Sequence, residues 1–600
     1  MTPENLLAEW ARLLFESLAD AGVREVVVSP GSRSTPLSWA ALACSRLHAT
    51  RIVDERDAAF FAVGHARVTG VPAVVVCTSG SAAANYFPAI VEAKRARVPL
   101  IVVTADRPFE LMDAGASQTL DQTKLYGDYV RRFVDVGMPD ASDGALAALR
   151  RVAAQAVAEA THPDAPGVVH LNVRARKPLE PVSASTEDGR ALERRVSALL
   201  SAPIVAVPHS PRIASDATVA ALASAVARAK RGLVVCGPAG IDDGRTLPAL
   251  AAFSRVTGFP VYAETTSQLR VAEDDGPGAD GLDLLLRSTT FRDAFRPDVV
   301  LQIGDSPTSG AWERFVLARP ELERHVLTSS GYPDPSSRAR SMIVADVPDV
   351  LARLAESAKG RSESVPQRRF AAALARLNDA AFGVADGLLR DQAALSEGAA
   401  TRVVATAVPD GGVFAVGNSL PVRHVDAFVR ARRGGPVRVW SQRGVSGIDG
   451  VVAGAAGAAM AAAAPTVLLL GDVSALHDVG GFAVAAASTV PVVVVVLNND
   501  GGRIFEQLPF SDSGVPEAEF AFWTTPHGRT FEGLRSLFGV DHAFCRTRAE
   551  LEAGLAHALE RRGCSVLEVP LPPHGARAEY AELARRLEST LAPLVSTLRG

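Results

Sequence analysis

Two short segments of this chain carry side chains fit to bind a divalent cation. The first is Gly471-Asp472-Val473-Ser474, after the apolar run Thr466–Leu470. The second is Asn498-Asn499-Asp500-Gly501-Gly502, after the run Pro491–Leu497, with Asn499 27 residues beyond Asp472. Continuous β-branched runs of this kind predict buried parallel strands. In a parallel α/β sheet, ligands bind beyond the carboxyl ends of the strands. A carboxylate from Asp472, an amide oxygen from Asn499 and a freed carbonyl near Gly501 would then converge. These are hard oxygen donors, suited to Mg²⁺ held between a protein and a diphosphate. The glycines let the backbone approach the phosphates. Ordinary turn chemistry explains the Asn and Gly residues but not their placement after two such strands.

This pair of segments resembles the motif of thiamine-diphosphate enzymes, which opens Gly-Asp and closes Asn-Asn after a similar interval. The usual third residue is Gly, and here it is Val473. Such enzymes also need a glutamate that hydrogen-bonds the aminopyrimidine ring and promotes its imino tautomer. Glu55, in Asp54-Glu55-Arg56 after Arg51-Ile52-Val53, stands at a strand-to-helix junction. An apolar setting there would raise its pKa and let it share a proton. Taken alone, Glu55 reads as a surface acid favoured by a helix dipole; beside Asp472 and Asn499 it reads as this group.

Further segments carry a closer resemblance, to the thiamine-diphosphate-dependent synthases of menaquinone biosynthesis, the MenD family. They are Ser29–Pro36, Asp54–Arg56, Thr78–Asn85, Thr104–Pro108, Gly115–Gln118, Gly417–Arg423, Arg443–Gly450, Gly471–Asp478 and Asn498–Phe505. The resemblance covers nearly the whole chain. It implies decarboxylation of 2-oxoglutarate on thiamine diphosphate, then 1,4-addition of the resulting succinyl semialdehyde carbanion to isochorismate. It places Glu55, Ile448, Asp472, Val473, Ser474, Asn499, Gly501, Gly502 and Ile504 on the cofactor, with Asp472, Asn499 and Gly501 on Mg²⁺ or Mn²⁺. Ser419 and Arg423 would take the distal carboxylate of the 2-oxoglutarate unit. Ser32, Arg33, Arg107, Gln118 and Arg443 would take isochorismate, and Glu55, Gln118 and Arg443 are the catalytic candidates. Ile448 would bend the cofactor, and Ile504, Phe505 and Leu508 would wall the thiazolium; plain core packing is the alternative for these four. Both substrates are dianions, which suits the planar fork of arginine. The spacing of Ser419 and Arg423 predicts one helical face. One departure is the stretch Pro307–Trp312, where Gly310 and Ala311 stand in place of the family's middle-domain cation. Ser117 also stands where Asn is common.

Strand and helix patterns alternate along 600 residues. They predict an α/β chain with mainly parallel sheets flanked by helices, in the three-domain arrangement of thiamine-diphosphate enzymes. The expected divisions are a pyrimidine-binding domain over 1–180, a linker over 181–215, a central Rossmann-like domain over 216–354, a linker over 355–370 and a diphosphate-binding domain over 371–600. Gly237-Pro238-Ala239-Gly240 hints at a nucleotide loop but lacks the G-x-G-x-x-G spacing. The uncharged stretch Gly450–Gly471 is long enough to span a bilayer. Its Ala/Gly content and Pro465 instead predict a closely packed helix followed by a strand.

Net charge is −4, with no basic field for nucleic acid. The five cysteines are scattered and form no C-x-x-C, which fits a reducing cytoplasm and no disulfide or zinc framework. Met1–Asn5 carries no basic n-region, and Thr2 with Pro3 predicts a helix start. His65 and His477 read as structural. The resemblance implies a homodimer or homotetramer with sites at subunit interfaces. Two other readings keep the same residues: a thiamine-dependent 2-oxoacid decarboxylase or carboligase with another acceptor, and a non-catalytic subunit of the same fold.

Overall fold

The computed structural model describes residues 2–240, 244–270, 279–360, 364–392, 394–432 and 437–598. The chain forms two compact units, one of Met1–Ser210, Gly444–Ala463 and Asp478–Ala485, the other of the remainder. Three parallel sheets run through them.

The first unit holds a six-stranded sheet. Its strands are β1 (Glu25–Val28), β2 (His48–Arg51), β3 (Ala73–Cys77), β4 (Leu100–Asp106), β5 (Arg132–Gly137) and β6 (Val168–Arg174), in the order β2-β1-β3-β4-β6-β5. The valine runs that predict strands are its fully buried centre, β1, β3 and β4. The edge strand β2 is short and partly exposed, which blunts an open sheet edge.

The helix Glu55–Thr69 starts one residue after Asp54, whose side chain accepts from the N–H groups of Arg56 (2.8 Å) and Asp57 (3.3 Å). Against it lies the helix Val451–Ala462, the Ala/Gly stretch of the sequence, buried through residue 459. A Cβ at Gly64 would fall on the carbonyl of Gly454, and one at Gly457 on the carbonyl of Phe61. Only glycine permits backbones this close. No helix among the described residues is long and apolar enough to cross a membrane.

The same contact buries two acids. Asp478 accepts from the N–H groups of Gly450 (3.1 Å), Val452 (2.7 Å) and Ala453 (3.2 Å), closing the start of that helix. Asp57 hydrogen-bonds Asp478, and Arg56 lies 3.8 Å from each. Burial, then repulsion by Asp478 and Asp54, pushes the Asp57 carboxyl up to about 8, against the pull of Arg56. The folded state therefore holds a proton that the unfolded chain releases near pH 4. The stability linked to it is full below that pH and is lost as pH rises through about 8. Asp57→Asn keeps a donor and removes the titration. Its melting temperature should gain on wild type by a few degrees between pH 5 and 9, at roughly 2–4 °C per kcal/mol. Melting curves that run parallel across that range would contradict the shared proton.

The second unit holds two sheets. The five-stranded one contains β7 (Gly232–Cys236), β8 (Val261–Ala263), β9 (Val299–Ile303), β10 (Glu323–Thr328) and β11 (Ser341–Val344), ordered β11-β10-β9-β7-β8. The loop after β7 is closed by its own chain: a Cβ at Gly237 would strike the Asp305 carbonyl, and Asp305 N–H donates to Pro238. Its glycine serves this close backbone packing. The six-stranded sheet contains β12 (Val413–Val416), β13 (Arg438–Trp440), β14 (Thr466–Gly471), β15 (Pro491–Asn498), β16 (Asp541–Phe544) and β17 (Gly563–Pro570), ordered β13-β12-β14-β15-β17-β16. Its register pairs Gly471 with Leu497. Asp472 and Asn498 therefore leave neighbouring strands at the same level.

Several local expectations need correction. The first helix begins at Leu6, with Asn5 at its cap, because Glu4 and Asn5 form a turn closed by Leu6 N–H donating to the Pro3 carbonyl. The expected linker over 181–215 holds a 15-residue helix, Glu187–Ser201, tied back by Glu4, which accepts from the N–H groups of Ser185 and Thr186. The second expected linker is largely helical: one helix reaches Ala358 and the next, Val365–Asp391, begins at a Ser364 cap. Residues 361–363 of that linker lie outside the described residues.

Candidate functional site

At the carboxyl end of β14, Asp472 is 1% exposed. One of its oxygens accepts from Val473 N–H (2.7 Å), and the other from Gly501 N–H (2.9 Å) with His527 Nε2 at 3.1 Å. Burial pushes this carboxyl up, opposed by those two N–H groups and His527. At the end of β15, Asn499 is 5% exposed; its Nδ2 donates to Glu397 (2.9 Å), while its Oδ1 is buried with no hydrogen-bond partner among the described residues. Gly501 takes φ +126°, and a Cβ there would meet the Thr524 carbonyl. Arg503 ties the loop from behind, donating to the carbonyls of Asn499 (3.1 Å) and Asp500 (2.7 Å). Asp500 in turn accepts from His527 and Gly528 N–H.

Beside this loop in the sequence, Ile504 is half-buried and packs on the core of the second unit. Phe505 is half-buried, and its ring lies against Gly502. Leu508 is 44% exposed, so core packing does not account for it in the chain.

Also in the second unit, Arg423 donates to the Ser419 carbonyl (2.6 Å) and Arg443 to the Asn418 side-chain oxygen (2.6 Å). Burial, and next the Arg443 charge, push the Arg423 guanidinium below its usual pKa. Ser419 stands before the helix Leu420–Phe428, at φ 69°. It offers Arg423 its carbonyl, rather than sharing the helical face that the spacing predicts. The stretch with no cation at Gly310 and Ala311 is held by acids: Thr308 N–H donates to Glu264 (2.6 Å) and the Ser309 hydroxyl to Asp283.

In the first unit, a second cluster gathers at strand ends. Arg107 follows β4 and donates to Ser79 Oγ (3.0 Å) and the Ser117 carbonyl (2.7 Å). Gln118, at φ 54°, exchanges hydrogen bonds with Ser79. Arg33 follows β1, is buried, and donates to the Ala175 carbonyl (2.7 Å). Burial, then Arg107, lowers its pKa. Two cations whose side chains donate to neutral partners are chemically suited to an anion. Ser32 is exposed, and its carbonyl receives Thr35 N–H and Oγ1. Glu55 opens its helix half-buried, within electrostatic reach of the Cys77 thiol, which burial pushes up. Ile448 is half-buried, two residues before Gly450, where a Cβ would meet the Phe60 ring. Glu92 fixes the preceding turn, accepting from Gly444 and Val445 N–H (2.8 Å each).

Residues 8–125 match the family model described as thiamine pyrophosphate enzyme, N-terminal TPP binding domain, and residues 424–569 match its C-terminal counterpart. Relatives named 2-succinyl-5-enolpyruvyl-6-hydroxy-3-cyclohexene-1-carboxylate (SEPHCHC) synthase match end to end. One from Sorangium cellulosum is 44% identical, covering 99% of this chain and 98% of the relative. One from Haloarcula marismortui is 37% identical, over 99% and 100%. One from Myxococcus xanthus is 36% identical, over 98% of both. The chain belongs to the SEPHCHC synthase family. It is thus a thiamine-diphosphate enzyme with both halves of that fold.

The donor set fits this family's cofactor. Among the described residues no cluster of three or more His, Cys, Asp or Glu side chains could hold a metal. A Mg²⁺–diphosphate needs instead few protein oxygens, since phosphates and water complete the octahedron. The orphaned Oδ1 of Asn499 and the carboxylate of Asp472 are such oxygens. Sequence reasoning misses His527 and Glu397, which touch these two donors. His527 lies in an ordinary Pro-His-Gly turn, and Glu397 follows Ser396 as a routine helix start, so neither carries a local signal. His65, read as structural, is half-buried, with its pKa lowered to about 4 by desolvation and then by His48.

Proposed function

We propose that this chain is a SEPHCHC synthase, joining 2-oxoglutarate to isochorismate with loss of CO₂. End-to-end similarity to synthases of that name supports the reading. The observation that carries it is the pair of guanidiniums, Arg423 and Arg443. Burial, and next the Arg443 charge, lower the Arg423 pKa, and among the described residues both side chains donate to neutral oxygens, an arrangement suited to a carboxylate.

Thiamine diphosphate, when bound, supplies the electron sink for decarboxylation and carbon–carbon bond formation. Asp472, Asn499 Oδ1 and the Gly501 carbonyl would hold its Mg²⁺, or Mn²⁺ in its place, and Val473, Ser474 and Gly502 would line the diphosphate. Glu55 would hold or release a proton at its carboxylate, facing the aminopyrimidine. Ile448 and Ile504 support the cofactor's rings, and Phe505 and Leu508 keep water from the reacting carbon. Ser419 and Arg423 bind the distal carboxylate of 2-oxoglutarate. Ser32, Arg33, Arg107, Gln118 and Arg443 bind and orient isochorismate. The enzyme acts as a cytoplasmic homodimer or homotetramer with sites at subunit interfaces; five free, buried thiols fit that compartment.

The deciding experiment supplies purified protein with thiamine diphosphate, Mg²⁺, 2-oxoglutarate and isochorismate, and follows CO₂ and product mass. Isochorismate-dependent product supports the synthase. CO₂ release without coupling overturns the acceptor, and absence of both overturns the enzymatic reading. Arg423→Ala should raise KM for 2-oxoglutarate about 10–100-fold, the equivalent of one charge-assisted hydrogen bond of ~1.5–3 kcal/mol. A KM within twofold of wild type would take Arg423 off the carboxylate.

A further inference from the structure

Behind the metal loop runs a chain of buried polar groups that the reaction scheme does not use. Glu397 is 2% exposed and begins the helix Glu397–Ala407. One carboxylate oxygen receives Asn499 Nδ2 at 2.9 Å, and the other meets His424 Nε2 at 2.7 Å. His424, fully buried, follows Arg423 in the helix Leu420–Phe428. Its Nδ1 meets the Tyr580 hydroxyl at 3.0 Å, and the two rings stack with centroids 5.5 Å apart. Burial pushes the Tyr580 phenol up, so it stays a proton donor. Arg287 covers the Tyr580 ring at 4.4 Å and pairs with Asp283 at 2.9 Å.

A neutral imidazole satisfies these contacts with one sense for each donor. Tyr580 O–H donates to His424 Nδ1, which leaves the imidazole proton on Nε2, directed at Glu397. A carboxylate accepts only, so the group of Asn499 facing it must be the NH₂. The amide oxygen is thereby turned away from Glu397, and it is the buried atom without a partner.

We propose that Glu397 is a positioning residue, which with His424 locks the Asn499 amide so that Oδ1 is presented to the metal. The proposal rests on the reading of Asn499 as a metal ligand. The same contacts tie the metal loop to the helix that carries Arg423. Such outer groups orient a ligand, and their loss typically costs about 10–100-fold in metal affinity.

The test is Mn²⁺ binding to the full-length protein with thiamine diphosphate, followed by electron paramagnetic resonance, for wild type, Asn499→Ala and Glu397→Gln. Glutamine at 397 can offer an NH₂ and let the Asn499 amide turn over. Expected is loss of binding in Asn499→Ala and about 10–100-fold weaker binding in Glu397→Gln. Should Glu397→Gln not yield folded protein, His424→Leu serves, with binding expected to weaken at least several-fold. His424→Gln, which can still donate to Glu397, should restore it. Wild-type affinity in Glu397→Gln or His424→Leu, with Asn499→Ala defective, overturns the positioning role alone. Wild-type affinity in Asn499→Ala overturns the metal assignment and the positioning role together.

Discussion

Replacing Asp472 by alanine should abolish metal-dependent binding of thiamine diphosphate. The carboxylate is the one formally charged donor of the set, buried at a strand end and aimed by two backbone N–H groups. Alanine leaves those N–H groups unpaired and removes the negative charge that offsets a dication. The loss should exceed the ~10–100-fold typical of removing an outer-shell partner. Calorimetric titration of the cofactor at fixed Mg²⁺ reads this directly. An unchanged affinity would refute the metal assignment, whatever the activity.

Glu55→Gln should separate binding from chemistry. Glutamine keeps the size of the side chain and its place at the start of the helix, so the cofactor should bind with near-native affinity. It cannot exchange a proton, and a positioned acid–base group contributes roughly 10²–10⁴-fold to rate. Turnover should fall by about that factor while cofactor titration stays close to wild type. Wild-type turnover would remove Glu55 from the mechanism. Lost binding would make it a structural residue of the cofactor pocket.

The sheet centres were legible because they are buried on both faces. Unbroken apolar runs mark β3, β14 and β15, and the glycines and asparagines after the last two mark where their chains leave the sheet. Edge strands were not legible. β2, with the sequence His48-Ala49-Thr50-Arg51, has neither an apolar run nor alternation, and forms because it pairs with β1. The donors Asp472 and Asn499 could be named from spacing, since strand register brings them to one level. Their supports could not. Glu397 lies 102 residues from Asn499 and His527 55 from Asp472, and only tertiary packing brings either into contact. The helical face expected to join Ser419 and Arg423 failed for a local reason. A residue at positive φ before the helix sits outside its periodicity, so i, i+4 arithmetic does not apply. Asp57 was hidden beside the more informative Glu55, although its burial against Asp478 fixes the same turn.

The grip of Arg503 on the carbonyls of Asn499 and Asp500, with Asp500 clasping the His527 turn, has a thermodynamic consequence. The loop's backbone is already shaped by the protein's own hydrogen bonds. Ordering it therefore belongs to folding rather than to capture of the ion and its diphosphate. Preorganisation of this kind strengthens association by sparing conformational entropy, without adding a contact to the ligand.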